Sequence, residues 1–528
     1  MTIVPRYAVP LLLVAAAAVC ALVPPLRWAI IVVVPLLVIA LWDFLQDRHA
    51  LRRNYPLVAR IRWLFEDLRP FLRAYIVEGE REGRPFTIDE RSLVYARAKG
   101  DIATHPMGTE LDVYSEEYEW LGHSIAPTEH IPESWRLRIG GPDCAQPYES
   151  ALLNISAMSF GSLSARAIEA LNKGAALGGF AHDTGEGGIS AYHRKHGGDL
   201  IWELGSGYFG CRDPHGNFDA EHFAQQACAA QVKMIEIKLS QGAKPGHGGV
   251  LPGPKVTPEI AEARKVEPWQ DCLSPAAHSS FSTPIGLLEW IVQLRQLSGG
   301  KPVGIKLCIG HPHEVMALCK AMIETDITPD FIVIDGGEGG TGAAPQELTD
   351  NVGMPLREGL ILMGNALVGT NLRHRIRIGA SGKVHSGAGM ARAIALGADW
   401  CNAARAFMFS LGCVQSMKCH TGECPTGVAT QIDWRQQGLV VEDKAERVAR
   451  FQRETLKSLR EMVVAMGLET PWELTHHDMF QRVDGAKAGP LDEVYAFLKP
   501  GELLADPEST RYAHAWRTSR ADTFRRVT

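Results

Sequence analysis

Short apolar and β-branched runs alternate with glycine loops and helical segments from about Ala151 to Ala404. Eight of these runs predict strands, at residues 152–158, 179–182, 200–204, 234–239, 303–308, 331–335, 376–379 and 400–404. Strands that alternate with helices are typical of a parallel sheet, and eight of them can close on one another. The pattern therefore predicts an α/β chain built on a (β/α)8 TIM barrel.

Two apolar runs, residues 8–23 and 28–42, lie at the amino end and are separated by two prolines. Each run is short for the roughly 30 Å of membrane hydrocarbon, and together they predict a transmembrane helical hairpin. A signal peptide is one alternative, although no small-x-small cleavage site precedes the second run. A single kinked or re-entrant segment is another.

Arginines lie on one side of this hairpin, and the positive-inside rule makes that side cytoplasmic. They are Arg6, Arg48, Arg52 and Arg53. We therefore expect the inner (cytoplasmic) membrane, with the catalytic body facing the cytoplasm.

Helical spacing flanks the predicted barrel on both sides. Residues 441–466 predict one amphipathic helix, with inward positions at Val448, Phe451, Leu456, Leu459 and Val463. Upstream, residues 43–112 predict a helical collar, and a Gly-Gly-Pro turn at 140–142 indicates a boundary. We divide the chain into a hairpin at 1–45, a juxtamembrane helical region at 46–140, a barrel at 141–432 and a helical extension at 433–528.

Composition narrows the class of protein. With 528 residues, 46% of them hydrophobic and 22% charged, the chain suits a large globular body. Its net charge of -6 and the lack of a concentrated Lys/Arg stripe make nucleic acid an unexpected partner. Eleven cysteines without regular paired spacing are not typical of a secreted disulfide framework.

Three of the cysteines, Cys413, Cys419 and Cys424, lie in one short loop rich in Gly, Thr and Pro. Three thiolates so close in sequence suit a soft metal centre. The spacing alone leaves three interpretations: an iron–sulfur cluster, a zinc site with His420 as fourth ligand, or buried free thiols.

Two further loops suit a phosphate, because the loops after the last two strands of such barrels present backbone N–H groups. Their residues are Gly382, Lys383, Ala404 and Arg405. An ordinary strand, turn and helix with incidental glycines is the alternative. Two G-x-G-x-x-G matches, at 205–210 and 337–342, are expected by chance among 52 glycines. Pro345 interrupts the helix that a dinucleotide site would need after the second match, so we interpret both as loops at the barrel mouth.

Five motifs together resemble a known family. The order Cys-x5-Cys-x4-Cys-x-Thr-Gly-Val-Ala-Thr-Gln resembles the three-iron, four-sulfur cluster loop in the synthase domain of glutamate synthase. The likeness continues in AMSFGSLS at 157–164, TGEGG at 184–188, QGAKPGHGG at 241–249 and GGTGAAP at 339–345. It covers roughly residues 150 to 432, with the motifs in the family's order.

The resemblance implies flavin mononucleotide (FMN) as a cofactor and a 3Fe-4S cluster on the three loop cysteines. The sequence itself leaves open a four-iron cluster with a remote fourth ligand such as Cys401. Backbone contacts to the flavin ring would come from Ala157, Met158 and Ser159. Lys306, in VGIKLC, matches a family lysine whose cation would stabilise the N1/O2 side of reduced flavin. A strand-end lysine in solvent is the alternative for Lys306.

Substrate residues are implied in the same way. Glu186 of TGEGG would lie on the substrate side and handle the proton or the nitrogen of an imine. Lys244 matches the substrate lysine, and Lys238 and Lys244 flank Gln241, so two cations suit a dicarboxylate such as 2-oxoglutarate. A solvated loop is the alternative.

Two departures from the family pattern weaken 2-oxoglutarate as the substrate. Where the family reads K-P-G-E-G-G-Q, this chain has His247 and Val250 at the Glu and Gln positions. Val250 offers no amide to a substrate. We also find no cysteine amidotransferase domain and no nicotinamide-binding half in these residues, so a separate electron donor is expected, either ferredoxin or a reductase subunit.

The sequence thus predicts a glutamate synthase-like oxidoreductase acting on CH–NH2 donors. It would aminate a 2-oxo acid, 2-oxoglutarate or a relative, with ammonia or an amine through an imine that takes a hydride from reduced FMN. The alternative function is a membrane electron-transfer component that exchanges electrons with a quinone or a partner subunit. A barrel that has lost its cofactors is a third hypothesis, which the intact cysteine loop disfavours.

Overall fold

The computed structural model describes residues 5–101, 104, 106–129, 131–484 and 486–527. It divides into two compact units, Met1–Ile88 and Asp89–Thr528. Each unit is described by itself.

The amino-terminal unit is helical. Its elements are the helices Pro5–Leu22, Ile30–Leu45, Ala50–Asn54 and Arg60–Leu72, with a 3-10 turn at Pro24–Ala29 and a π turn at Arg73–Val77. The first two helices contact each other: the Arg6 guanidinium lies 4.7 Å from the centre of the Phe44 ring. The start of the first helix is therefore beside the end of the second.

One helical segment of the described chain, Pro24–Leu45, is long and apolar enough to cross a membrane by length and composition. The preceding apolar helix, Arg6–Leu22, is shorter than that test requires. The predicted transmembrane hairpin therefore stays a prediction.

An ion pair between a buried carboxylate and a partly exposed guanidinium joins the end of the second helix to the amphipathic helix Arg60–Leu72. Arg60 donates from Nε and Nη2 to the two carboxylate oxygens of Asp43, both at 2.8 Å. The Leu57 N–H donates to the same carboxylate at 3.1 Å. A bidentate guanidinium–carboxylate pair fixes direction as well as distance, so it sets the angle at which the chain leaves the apolar helix.

Eight parallel strands close into a barrel in the second unit. They are β1 Leu153–Ile155, β2 His182–Asp183, β3 Leu200–Leu204, β4 Val232–Lys238, β5 Val303–Leu307, β6 Phe331–Asp335, β7 Arg377–Ser381 and β8 Trp400–Ala403. Strand β8 pairs with β1 in parallel, with Cys401 opposite Leu153, and this pairing closes the ring. The predicted eight-stranded barrel is confirmed, and each predicted run overlaps one strand.

A helix follows each barrel strand. In order they are Ala165–Gly178, Ala191–Arg194, Ala220–Ala227, Pro284–Leu297, Pro312–Thr325, Leu356–Gly369, Gly387–Ala395 and Arg405–Leu411. Local sequence sets their ends: the Ser164 hydroxyl accepts the Ala167 N–H at the start of the first, and Gly179 ends it in the left-handed conformation.

Two insertions extend the loops at the carboxyl ends of the strands. The first follows β4 and contains the paired strands Val250–Leu251 and Cys272–Leu273, a 3-10 turn at Gly253–Lys255 and the helix Pro258–Arg264. The second follows β6 and contains the helix Gln346–Asn351.

The carboxyl-terminal helix Val441–Ala465 packs on the first barrel helix. Val448, Phe451, Leu459 and Val463 are buried as predicted, whereas Leu456 is half-buried. A Cβ at Gly174 would overlap the Val448 side chain, so the small residue lets the two helices approach closely.

The rest of the second unit is mixed rather than only helical. A three-stranded antiparallel sheet joins Glu119–Leu121, Met479–Arg482 and Ala488–Pro490. A two-stranded ladder, Arg136–Ile139 with Tyr148–Ala151, precedes the barrel. Short helices complete the unit at Ile88–Lys99, Asp433–Gln436, Leu491–Val494, Glu502–Ala505 and Ala513–Arg517, with 3-10 turns at Pro471–Glu473 and Pro507–Ser509.

Candidate active site

The loops at the carboxyl ends of the barrel strands bring four of the sequence motifs into contact. A Cβ at Gly185 would lie 2.7 Å from the Ser159 backbone nitrogen, so TGEGG packs on AMSFGSLS. A Cβ at Gly242 would collide with the carbonyl of Gly336, so QGAKPGHGG packs against the loop after β6. These glycines permit backbone approaches that any side chain would block.

Glu186 lies between two of these loops and is surrounded by positive charge. Lys238 at the end of β4 places Nζ 2.9 Å from Glu186 Oε2. Burial opposes ionisation, but Lys238 above all, with Arg264 and Lys244, lowers the pKa of Glu186 to about 2. The carboxylate is therefore ionised at neutral pH, and three cations surround one anion.

Lys244 and Gln241 lie in one turn, in which the Lys244 N–H donates to the Gln241 carbonyl at 3.3 Å. The Lys244 side chain is buried rather than solvated, and burial lowers its pKa. Gly249 is also close: a Cβ there would lie 2.5 Å from Glu186 Oε1. The structure thus brings Glu186, Lys238, Gln241 and Lys244 together at the barrel mouth.

Lys306 lies deeper, inside the barrel, and its side chain is 4% exposed. Its Nζ contacts the Glu203 carboxylate and lies 3.0 Å from Glu236 Oε1 and 3.9 Å from Asp183 Oδ2. Burial alone would lower its pKa, but these three carboxylates, Glu203 first, hold the pKa of Lys306 well above its usual value. Its predicted contact with a flavin stays a prediction.

The carboxylates around Lys306 crowd one another. Oxygens of Asp183, Glu203 and Glu236 all lie within 4.8 Å of one another, and all three residues are buried. Burial, together with the neighbouring negative charges, raises the pKa of Asp183 well above its usual value and also raises that of Glu236. In the described part of the chain, Asp183 Oδ2 and Glu236 Oε2 have no hydrogen-bond partner, and Glu236 Oε1 contacts the Lys306 ammonium.

Sequence reasoning missed Asp183, Glu203 and Glu236. Each is a single acidic residue beside or within an apolar run that by itself predicts only a strand, as in IWEL and MIEIK. Charged side chains are seldom fully buried unless they are paired, so an acid inside a predicted central strand is itself a signal. Arg264 lies in the insertion after β4, and no pattern in the sequence there indicated that it belongs to the site.

The residues predicted to hold FMN fall on three adjacent strand ends. Gly382 and Lys383 directly follow β7, and Ala404 and Arg405 directly follow β8. Strands β7, β8 and β1 are neighbours in the barrel. The segment Ala157, Met158 and Ser159 follows β1, and it lies against Gly185 as described above.

This donor set fits a phosphate monoester with an attached ring system. Lys383 adopts a positive φ of 50°, which turns the loop sharply after β7. Arg405 is half-buried and donates to the Glu338 carbonyl at 2.5 Å. Desolvation lowers its pKa to about 10, so it still bears its charge at neutral pH. One ammonium, one guanidinium and loop N–H groups are the ligands that phosphates use.

The cysteine loop docks on the same mouth. Gln431 Nε2 donates to the carbonyls of Gly161 and Leu163 at 3.0 and 3.1 Å, which ties the end of the loop to AMSFGSLS. Tyr95 donates its hydroxyl to the Cys413 carbonyl at 2.6 Å, and Lys255 donates from Nζ to the Cys419 carbonyl at 2.6 Å.

The three thiols differ in how readily they ionise. Burial raises the pKa of Cys413 to about 12 and also raises that of Cys419. Burial opposes ionisation of Cys424 as well, but hydrogen bonds from the Thr426 hydroxyl and from three backbone N–H groups lower its pKa. A thiolate held by N–H donors is typical of a metal ligand.

The predicted metal centre on Cys413, Cys419 and Cys424 stays a prediction.

Comparisons with known proteins place the chain in a family. Residues 145–469 match the family described as the conserved region in glutamate synthase. The chain is 36% identical over 502 residues to the glutamate synthase large subunit-like protein YerD of Bacillus subtilis (strain 168), covering 86% of this chain and 95% of that protein.

A second relative matches over a shorter span. The chain is 36% identical over 314 residues to the archaeal glutamate synthase (NADPH) of Archaeoglobus fulgidus, covering 59% of this chain and 58% of that enzyme. The match therefore spans less than two thirds of the archaeal enzyme. Among solved structures, a mutant flavocytochrome b2 with pyruvate bound aligns with a TM-score of 0.42 at 12% identity, covering 78% of this chain and 89% of that one. A likeness this weak transfers neither a ligand nor a reaction.

The family match covers more than half of the chain, and the match to YerD covers nearly all of that relative. The chain belongs to the glutamate synthase family, whose members are oxidoreductases that act on CH–NH2 donors.

Proposed function

We propose that this chain reduces the imine of a 2-oxo acid and ammonia, or an amine, to an amino acid. The observation that supports this reaction is the grouping of Glu186 with Lys238 and Lys244 at the mouth of a barrel of the glutamate synthase family. The cations can bind the carboxylate of such a substrate, and the Glu186 carboxylate can accept a hydrogen bond from its nitrogen.

The lysines and the glutamate have separate tasks. Lys244, Lys238 and Arg264 outnumber Glu186 in charge, so the site attracts a substrate with one or two carboxylates. The Glu186 carboxylate accepts a hydrogen bond from the substrate nitrogen and orients it. Because the Lys244 side chain is buried, little water surrounds its ammonium, and its interaction with a substrate carboxylate is stronger.

FMN and an iron–sulfur cluster are the proposed cofactors. FMN, when bound, supplies the hydride for carbon. Gly382, Lys383 and Arg405 would hold its phosphate, and the segment 157–159 would line its ring. Cys413, Cys419 and Cys424 would hold the cluster, a 3Fe-4S cluster by the family resemblance, which receives electrons from a separate donor.

The test is anaerobic reduction of the purified protein, followed by addition of 2-oxoglutarate with ammonium. We expect the flavin absorbance to return and glutamate to form in equal amount. If the absorbance returns only with another 2-oxo acid, the reaction class stands and the substrate changes. If no 2-oxo acid with ammonium or an amine restores it, the proposed reaction is wrong.

A second candidate function follows from the apolar segment Pro24–Leu45, since a soluble amination has no need of a membrane. In this candidate the chain passes electrons to or from a quinone or a partner subunit without amination. Rapid return of flavin absorbance with a quinone, and none with 2-oxo acids, would favour it.

We also propose attachment to the inner membrane through the amino-terminal unit, with the catalytic body in the cytoplasm. The helix Arg60–Leu72 supports this, because six apolar side chains on one face are exposed: Ile61, Leu64, Phe65, Leu68, Phe71 and Leu72. The opposite face contains Arg62, Glu66 and Arg69. An amphipathic helix with arginines on its polar face suits the headgroup layer of a bilayer. The pair between Asp43 and Arg60 joins this helix to the apolar segment.

A further inference from the structure

A chain of charged side chains runs from the sealed interior of the barrel to its mouth. Glu236 and Lys306 are 3.0 Å apart, and Lys306 also contacts Glu203. Lys238 lies 4.0 Å from Glu203 and 2.9 Å from Glu186. Acidic and basic groups alternate along the whole path, and its outer end is the proposed substrate glutamate.

The inner end of this path has more carboxylates than cations. Asp183 and Glu236 have no exposed surface, and oxygens of both lie within 4.8 Å of each other and of Glu203. Lys306 Nζ reaches all three carboxylates, and Lys238 Nζ lies 4.0 Å from Glu203, so two ammonium groups face three carboxylates among the described residues. Unpaired buried charge is costly, and two carboxylates that share a site cannot both stay ionised at neutral pH.

We propose that Asp183 and Glu236 hold one proton between them at neutral pH, and that this proton is a reserve for reduction of a C=N bond at the mouth. The role of this proton in the reaction rests on the proposed function, whereas the shared proton itself rests on the geometry of the two carboxyl groups. Glu236 Oε1 contacts Lys306 Nζ at 3.0 Å, whereas Asp183 Oδ2 and Glu236 Oε2 have no hydrogen-bond partner among the described residues, so each carboxyl keeps one oxygen with which to share a proton.

The pair and the charged groups around it and around Lys306 lie on five neighbouring strands. They are Asp183 on β2, Glu203 on β3, Glu236 and Lys238 on β4, Lys306 on β5 and Asp335 on β6. Next to Asp183 along β2, His182 stays neutral because burial lowers its pKa to about 3.

The transfer requires no electrons and no further reactant. Each lysine is already an ammonium, so it must give a proton before it accepts one, and the transfer starts at the mouth. Lys238 gives a proton to Glu186, and the neutral amine that remains takes a proton from Lys306 through Glu203. Lys306 then takes the proton of the carboxyl pair, whose O–H bond breaks. Glu186 has a low pKa and holds the arriving proton weakly, so the proton moves on to the substrate nitrogen, where an N–H bond forms.

The test is infrared spectroscopy of the full chain at pH 7.5, first without substrate. Wild type is expected to show the C=O stretch of a buried protonated carboxyl, which shifts in D2O. Asp183→Asn and Glu236→Gln should each abolish the band, because each removes one partner of the shared proton. Glu446→Gln, at an exposed position of the carboxyl-terminal helix, is the matched control and should retain it.

Absence of the band in wild type, or its retention in either variant, overturns the proposal. The same samples are assayed for reductive amination as a function of pH. Both variants should lose the alkaline limb of the wild-type profile, whereas a purely structural role would lower the rate equally at every pH. If wild type forms no amino acid while the band behaves as expected, the proposed reaction is wrong and the shared proton stands.

Discussion

Lys306 and Glu236 face each other inside the barrel with 3.0 Å between Nζ and Oε1, and both side chains are almost wholly sealed from solvent. Two further carboxylates, on Asp183 and Glu203, reach the same ammonium. The charge that Lys306 presents to the barrel mouth is therefore set by the protonation of its neighbours, and this relationship leads to the first prediction.

Asp183→Asn should make the protein less sensitive to alkaline pH. A carboxyl whose pKa is raised on folding contributes stability below its unfolded pKa, and that contribution is lost as pH rises through the folded pKa. A tenfold change in the acid dissociation constant on folding corresponds to about 1.4 kcal/mol of unfolding free energy. Thermal unfolding between pH 5 and pH 8.5 should show wild type losing stability relative to the variant. A parallel pH dependence of the two proteins would contradict the assignment.

Glu186→Gln should reduce amination by a factor of roughly 10² to 10⁴, the usual effect of losing an acid–base group. The amide keeps the size of the side chain but loses its negative charge and its capacity to accept and pass on a proton. Initial rates of amino acid formation are the measurement. Glu347→Gln, at an exposed position in the insertion after β6, is the control and should keep wild-type rates. Equal rates in the two variants would remove Glu186 from the mechanism.

Val250→Gln should improve the use of 2-oxoglutarate. Val250 follows Gly249, which lies against the Glu186 carboxylate, and it begins the short strand paired with Cys272–Leu273. A hydrogen bond to a charged group is worth about 1.5–3 kcal/mol, so kcat/KM should rise by roughly 10- to 100-fold. Val250→Leu enlarges the side chain without adding an amide, so it is the control and should bring no gain. If glutamine brings no gain and a larger or less polar 2-oxo acid is preferred, the natural substrate is not 2-oxoglutarate.

Cys419→Ala should remove iron while flavin stays bound. The proposed flavin residues follow β7, β8 and β1 and do not depend on the Cys419 side chain. Iron and sulfide analysis, with the visible spectrum, is the measurement, and iron should fall to background. Cys228→Ala, at an exposed cysteine far from the loop in sequence, is the control. Unchanged iron in Cys419→Ala would make the cluster assignment wrong.

If the amino-terminal unit is attached to a membrane, the span and the interfacial helix can be tested separately. A nitroxide-bearing non-canonical residue replaces Val38, Leu64 or Glu66 in turn, in full-length protein reconstituted with anionic phospholipid. At positions 38 and 64 we expect relaxation by dissolved oxygen and little by a water-soluble nickel complex. At position 66 the nickel complex should be more effective.

Exposure of position 38 to the nickel complex would exclude the membrane span itself. If position 38 is lipid-exposed and position 64 is not, only the interfacial helix is wrong. Shielding of position 64 from both agents would indicate that protein, rather than lipid, covers the apolar face of Arg60–Leu72.

The sequence was sufficient to predict the strands of the barrel, but it did not predict how the charged side chains inside the barrel are arranged. The first four residues of the strand Phe331–Asp335 are apolar and buried, so this run is continuous and easily recognised. The surroundings of Lys306 depend on which side chains of three other strands point inward at one level, and no local pattern encodes that. The sheet that joins Glu119–Leu121 to Met479–Arg482 was missed for the same reason, because its partners are far apart in sequence.

The helix Arg405–Leu411 acts as a rigid spacer. Its first residue belongs to the proposed phosphate loop, and the first proposed cluster ligand, Cys413, comes two residues after its end. Seven residues of α-helix span on the order of 10 Å, so the proposed phosphate loop and the first proposed cluster ligand are held at a fixed separation along this element. A substitution that shortens or bends this two-turn helix would therefore disturb both proposed sites at once, whichever substrate the mouth of the barrel accepts.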